Sequence, residues 1–331
     1  MDQAIKKRVL SISLFIVGVG LSGISFYLAA RDIPLNSFGQ VFRQADWVFV
    51  VLVFFSIALN ISAKAARWRV LLGQGGLKLP FFQVLLSIMS GQLWNQVYPV
   101  RVGDLSRAWL PGFNGEKKMF ILSTVALEKL LDTVFYAFFV FVLVFWAPVP
   151  AWLNAPVGLL AVAGAGLLVV TLYMAYQGRL QPADFVKYLN WLPQALRSRL
   201  LGALQAVVDS LAVLRANFMV VFGWTMLIWL TAVLNIVFAM LAMHISVFQP
   251  PQMLFAPILL LVTLQAGISL PSAPLTIGVF EYICKTVLQF FGQDGLNSFV
   301  FAVFLHFATM LPLFILGPFG SLLTWYKAAT K

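Results

Sequence analysis

The chain alternates long apolar runs with short polar stretches, and the length of each run limits what it can become. Val9 to Ala30 is long enough to meet the ~20 residues that a helix needs to cross a hydrocarbon core, and Lys6, Lys7 and Arg8 stand before it. By the positive-inside rule this basic triplet holds the start of the first span in the cytoplasm. Trp47 to Ala63 predicts a return crossing, after which Lys64, Arg67 and Arg69 lie within KAARWRVLL. Arg67 and Arg69 read as a topology anchor at the anionic headgroups. Met119 to Trp146, Gly158 to Tyr176, Phe218 to Met243 and Asn297 to Tyr326 predict four further crossings.

Two runs do not end as membrane helices do. The stretch 80–111 begins apolar, then after Trp94 presents Asn95, Pro99, Arg101, Gly103, Asp104 and Arg107. The stretch 253–292 runs apolar to Leu270, meets Pro271-Ser272-Ala273-Pro274, and restarts at Gly278 with Glu281 and Lys285. Broken backbone at membrane depth is tolerated only where protein or water surrounds it, so these are the places to look for a polar substrate. If 80–98 crossed fully, the basic residues Arg101, Arg107, Lys117 and Lys118 would lie outside, against the charge rule. Reading both stretches as re-entrant hairpins of opposite orientation puts the basic loop 178–217 and both termini in the cytoplasm. The second half of that loop spaces Leu200, Leu204, Val207, Leu211 and Leu214 on one face, as a helix lying along the membrane surface would. Two full crossings in place of one or both hairpins remain open.

The fold class that follows is an all-α polytopic membrane protein in a single domain, 1–331. It has about six full transmembrane helices plus two re-entrant hairpins, or an eight-span count if hairpin halves are counted as spans. Pro99-x3-Gly103-Asp104 and Pro274-x3-Gly278-x2-Glu281 each place a proline, a glycine and an acid at a helix start. Paired breaks of opposite orientation are the pattern of inverted-repeat transporters.

Composition removes the other classes. At 61% hydrophobic and 10% charged residues, with a mean hydropathy of +0.93, the chain could not cover a soluble surface with polar groups. The net charge of +11 follows from basic cytoplasmic loops and calls for no nucleic-acid partner. Cys284 is the sole cysteine, so no intrachain disulfide can form. No cofactor or metal is implied: a GxxxxGK[ST] loop and HExxH are missing, and His244 and His306 are far apart in sequence. His306 reads as a packed helix residue. Gly18, Gly20 and Gly23 spell GxGxxG without a preceding strand, and close helix packing is the better reading.

The charges at membrane depth are Arg101, Asp104, Arg107, Glu128, Lys129, Asp132, Glu281 and Lys285. Each costs roughly 2.5 to 3.5 kcal/mol at the centre of an isolated helix, so they must pair or line a wet cavity. Spacing suggests Lys129 with Asp132 and Glu281 with Lys285. Guanidinium forks suit a phosphate, which favours Arg101 and Arg107 as headgroup ligands, with Asn95 and Lys285 beside them. Asp104, Glu128, Lys129, Asp132 and Glu281 would form the charge network that holds the bases between lipids.

The ordered set Asn95-x3-Pro99-x-Arg101-x-Gly103-Asp104-x2-Arg107, then Glu128-x3-Asp132, then Pro274-x3-Gly278-x2-Glu281 resembles the membrane domain of lysylphosphatidylglycerol synthase/flippases. That domain also occurs in stand-alone flippase-like proteins and in an archaeal dolichol-phosphate glycosyltransferase. Asp104 stands where the family usually has Glu, and Leu275-Thr276 where it has Gly-Gly. The resemblance implies movement of a lipid between leaflets of the inner membrane, with an anionic phospholipid or a polyprenyl-phosphate-linked lipid as substrate. The family's soluble aminoacyl-transfer domain has no counterpart after Tyr326, so lipid aminoacylation by this chain alone is not expected. A lipid-modifying enzyme partner and a homo-oligomer are compatible with this reading. The alternatives are a non-transporting lipid-binding scaffold and a membrane glycosyltransferase component.

Overall fold

A computed structural model describes residues 18–31, 33–98, 102–109, 116–146, 217–245, 252–268 and 274–329, with scattered positions between 158 and 214. Pro99, Arg101 and Pro271 lie outside the described residues, as does nearly all of the basic loop 178–217 with its expected surface helix. Every described element is helical. In order they are α1 (Gly18–Ala30), α2 (Leu35–Arg43), α3 (Trp47–Gln74), α4 (Phe81–Val97), α5 (Val102–Ser106) running into a 3₁₀ turn Arg107–Trp109, and α6 (Glu116–Trp146). Then come α7 (Phe218–Ala242), α8 (Gln252–Ile268), a 3₁₀ turn Pro274–Thr276, α9 (Val279–Phe290) and α10 (Gly295–Ala329).

Among the described residues, α3, α7 and the segment 295–322 of α10 are long and apolar enough to cross a membrane, with mean hydropathies of 2.1, 2.2 and 2.3. α6 has the length, at 31 residues, but carries Glu128, Lys129 and Asp132 along its middle. Large apolar side chains such as Val48, Val51 and Phe55 of α3 and Met219 and Leu230 of α7 stand exposed. In water that surface would drive aggregation, whereas lipid accommodates it.

α3 and α7 make the most extensive helix pair among the described residues. Apolar burial gives little drive between helices that are both already in lipid, so close packing and polar ties must supply it. Here the ties are Asn60 Nδ2 to the Ile228 carbonyl at 2.7 Å and Asn235 Nδ2 to the Val53 carbonyl at 3.3 Å. The Asp46 backbone N–H adds a bond to the Ala242 carbonyl at 2.9 Å, and the Asp46 side chain caps α3 by accepting from Val48 N.

α4 lies against α10, and small residues permit the approach. A Cβ added at Gly320 would run into the Leu86 carbonyl, one at Gly317 would crowd Leu93, and Ser90 and Ser321 share a hydrogen bond of 2.8 Å. Gly20 and Gly23 of the GxGxxG run do not serve this purpose, because neither has an atom near enough to meet a Cβ. Close approach to α1 comes instead from Gly278, whose added Cβ would strike the Ser22 carbonyl.

One extension changes the local picture. α3 does not stop at Ala63 but continues to Gln74, carrying KAARWRVLL as helix. Ala, Lys and Arg are all good helix formers, so nothing in that segment terminates the run. The extension points one stripe, Ala63, Arg67 and Leu71, into the protein.

Candidate functional site

α4 ends at Val97, α5 begins at Val102, and the two helices pack against each other. Gly103 sits so close to Gly91 that a Cβ would meet the Gly91 carbonyl, which places α5 alongside the end of α4. Asn95 fixes this packing: its Oδ1 accepts from the backbone N–H of Gly103 at 2.8 Å and of Asp104 at 3.2 Å. These are orphan donors at a helix start, which need a side-chain acceptor. The 3₁₀ turn after α5 delivers Arg107 into the protein, where its guanidinium lies 3.8 Å above the Trp68 ring. Trp68 is itself pinned by its Nε1 donating to Thr124 Oγ1 at 3.1 Å.

A buried charge cluster grows from there. Arg107 Nη2 donates to Glu128 Oε2 at 2.6 Å, and the other oxygen of Glu128 lies 3.6 Å from Arg67 Nη2. Arg67 forks onto Asp132, with Nη1 to Oδ1 at 2.7 Å and Nη2 to Oδ2 at 3.2 Å, and also meets Thr225 Oγ1 at 3.2 Å. At the edge, Lys129 reaches Asp104 at 3.2 Å. Lys64, one turn before Arg67 on α3, is within electrostatic range of Asp132 but is not paired to it. The bases Lys64, Arg67, Arg107 and Lys129 therefore outnumber the acids Asp104, Glu128 and Asp132 by one. Two donors are unused, since the Nε atoms of Arg67 and Arg107 are buried without a hydrogen-bond partner. A buried donor left unmade costs about 1–3 kcal/mol, so an anion that reached these groups would find attraction waiting.

The second break has its own arrangement. α8 ends at Ile268, and α9 starts at Val279 after a turn in which Leu275, Thr276 and Gly278 take φ of 65°, 58° and 90°. Glu281 closes the helix start by accepting the Gly278 N–H on Oε2 at 2.6 Å. Its Oε1 lies 2.6 Å from His306 Nδ1 on α10, and His306 Nε2 lies 3.0 Å from the Leu275 carbonyl. Phe280 stacks on the imidazole at 4.3 Å. Lys285, one turn further along α9, donates to the Ala29 carbonyl at 2.8 Å, near the C-terminal end of α1. The turn Pro274–Thr276 packs against α4.

A family profile for the lysylphosphatidylglycerol synthase TM region matches residues 15–317. The chain belongs to that family. No curated protein matches it in a sequence search. Membership ties this lysylphosphatidylglycerol synthase TM-region protein to membrane lipids and, with its apolar helices, makes it an integral membrane protein.

Several residues of this TM-region protein do other work than their spacing suggests. Arg67 is not an exposed anchor; it is 2% exposed and forked onto Asp132, because α3 continues as helix and turns it toward α6. Arg69 is on the exposed side of the same helix. Asn95 uses its oxygen to cap α5. Lys129 takes Asp104 in place of Asp132, and Lys285 takes a carbonyl in place of Glu281. In both cases an interhelical partner replaces the i,i+3 or i,i+4 neighbour. His306 is buried as a packed helix residue would be, but it also holds Glu281, a role its apolar surroundings in sequence concealed. Thr225 and Trp68 gave no signal in sequence either.

Proposed function

We propose that the protein is a lipid flippase that carries an anionic or phosphate-bearing lipid between leaflets, with its headgroup received at the Arg67–Arg107 cluster. The observation that carries this reading is a buried cluster with one base in excess and two guanidinium Nε donors left without partners. A phosphate entering there takes the spare donors, competes with Glu128 for Arg107, and leaves Glu128 to Arg67. Lys64 supplies the remaining positive charge. Arg101, six residues before Arg107 in the chain, enters this reading on its sequence alone as a further headgroup ligand.

The two breaks are read as re-entrant hairpins related as an inverted repeat. α4 is 17 residues between its caps, at the short end of the ~20 that a span needs, and α8 is described over 17. Each is followed by a turn and a shorter helix that packs back on it. In this reading the substrate path runs between the two hairpins, where the turn Pro274–Thr276 packs against α4.

The test is transbilayer movement of headgroup-labelled anionic and zwitterionic phospholipids in proteoliposomes, comparing wild type with Arg107→Lys. A lysine keeps the charge but loses the fork and most of the stacking on Trp68. Wild type should move the anionic lipid and Arg107→Lys should slow it at least several-fold. Equal rates in folded protein, or no movement of either lipid by wild type, would remove the reading. In the latter case a lipid-binding scaffold for a modifying enzyme takes its place. One observation favours that reading: both arginines already have carboxylate partners and can hold helices together without exchange.

A further inference from the structure

The Glu281–His306 pair is built from elements that the arginine cluster does not use, and its geometry fixes its proton content. The Leu275 carbonyl can only accept, so His306 Nε2, 3.0 Å away, carries a hydrogen. Nδ1 and Glu281 Oε1 are 2.6 Å apart, too close for two facing lone pairs, so a second proton lies between them. Glu281 Oε2 is committed to the Gly278 N–H. Whichever atom the shared proton sits nearer, the pair is neutral and holds one proton that it can give up.

We infer that Glu281 and His306 form a proton-binding site, and that binding and release of one proton there is coupled to lipid movement. The coupling rests on the flippase reading; the site does not. Its neighbours define what release does. Lys285 is 6% exposed and has one hydrogen bond, to the Ala29 carbonyl, with no carboxylate paired to it. It lies four residues from Glu281, on the same face of α9. When the shared proton leaves to water, the pair goes from neutral to a carboxylate facing a bare Nδ1 lone pair. The Glu281–His306 contact is then repulsive, and Lys285, one turn along the same face of α9, is the cation that helix offers to answer the carboxylate.

Lys285 is not within ion-pair distance of Glu281, so in answering it the ammonium swings toward its own helix and away from Ala29, its tie to α1. The same helix seats Gly278 against the Ser22 carbonyl. Protonation thus holds α1, α9 and α10 together, and release exchanges that link for the intrahelical Glu281–Lys285 pair. That exchange supplies two arrangements of similar cost at the second break, as alternating access requires.

Other titratable groups on the surrounding elements are few. α9 carries the buried Cys284 and the exposed Tyr282. α1 and the residue after it carry Tyr27 and Arg31, both on the exposed side. α4 and α8 contain no charged residue among those described, and α10 faces the site with His306.

The sequence has two histidines, so nitrogen NMR of histidine-labelled protein in lipid, with His244→Gln to leave His306 alone, reads the site directly. At neutral pH both ring nitrogens should give protonated signals. Raising the pH should expose one bare nitrogen, and Glu281→Gln should give that neutral ring without titration. A bare nitrogen across the whole range in wild type, or the same titration in Glu281→Gln, would overturn the site. The second arm is movement of headgroup-labelled anionic phospholipid in proteoliposomes under an imposed pH gradient. The gradient should change the wild-type rate several-fold and leave His306→Gln indifferent. Wild-type movement that ignores the gradient overturns the coupling and leaves the flippase reading standing. No movement under any gradient removes that reading and the coupling with it, and the nitrogen spectra still decide the site.

Discussion

Two buried sites hold charge in this protein, and they do so by opposite means. Between α3, the 3₁₀ turn after α5, and α6, two guanidinium groups share two carboxylates through several bonds, with a tryptophan face and a threonine in support. Between α1, α9 and α10, a carboxylate and an imidazole balance through one shared proton, and a lysine sits one turn away on a carbonyl. The first site has more base than acid and tolerates the loss of a single bond; the second has no redundancy. A site of the first kind changes state when an outside anion arrives. A site of the second kind changes when a proton departs.

The largest test of this contrast is Arg67→Ala. It leaves Asp132 and Glu128 without their shared base, and removing one partner of a buried pair costs about 3–5 kcal/mol. Unfolding in detergent should show a loss of that size, and a loss under about 1 kcal/mol would mean the cluster is wetter than its burial indicates. His306→Ala comes next. It removes a charge-assisted bond worth about 1.5–3 kcal/mol and should lower the unfolding midpoint less than Arg67→Ala does. Gly278→Ala should cost about 1–3 kcal/mol from its backbone conformation alone, and more because the new methyl meets the Ser22 carbonyl. A neutral result would show that α1 does not pack there. The smallest effect belongs to Lys129→Gln. The Lys129 side chain is 48% exposed, so its bond to Asp104 should contribute no more than ~1 kcal/mol.

Gly278 and its neighbours also show how local preference and fold disagree. Leu275 and Thr276 take φ of 65° and 58°, a region costing an ordinary residue roughly 1–2 kcal/mol. The helix-start hydrogen bond from Gly278 to Glu281 and the contact of His306 with the Leu275 carbonyl hold them there.

The helices were legible because hydrophobic runs of membrane length leave few options. Phe218 to Met243 in sequence is α7, Phe218–Ala242, in structure. The breaks were legible too, since Pro274 and Gly278 interrupt a run that nothing else would stop. What spacing could not supply was the choice of partner. Glu281 sees Lys285 four residues on and His306 twenty-five residues on, and only packing of α9 on α10 decides for the histidine. The end of α3 was misread for a related reason. Lys64, Arg67 and Arg69 look like a loop by charge, yet their helix propensity is high, and an acidic patch on α6 awaits Arg67. α2 escaped notice as a short polar-faced helix outside the apolar runs.

The measurement that tests the account most directly is lipid retained by Glu128→Gln, read by mass spectrometry of protein purified in mild detergent. If Glu128 and a lipid headgroup compete for Arg107, neutralising Glu128 leaves the arginine seeking an anion. The variant should then keep more anionic phospholipid than wild type, with zwitterionic lipid unchanged. Equal retention of anionic lipid, or a rise shared by both lipid classes, would contradict a headgroup site at the arginine cluster.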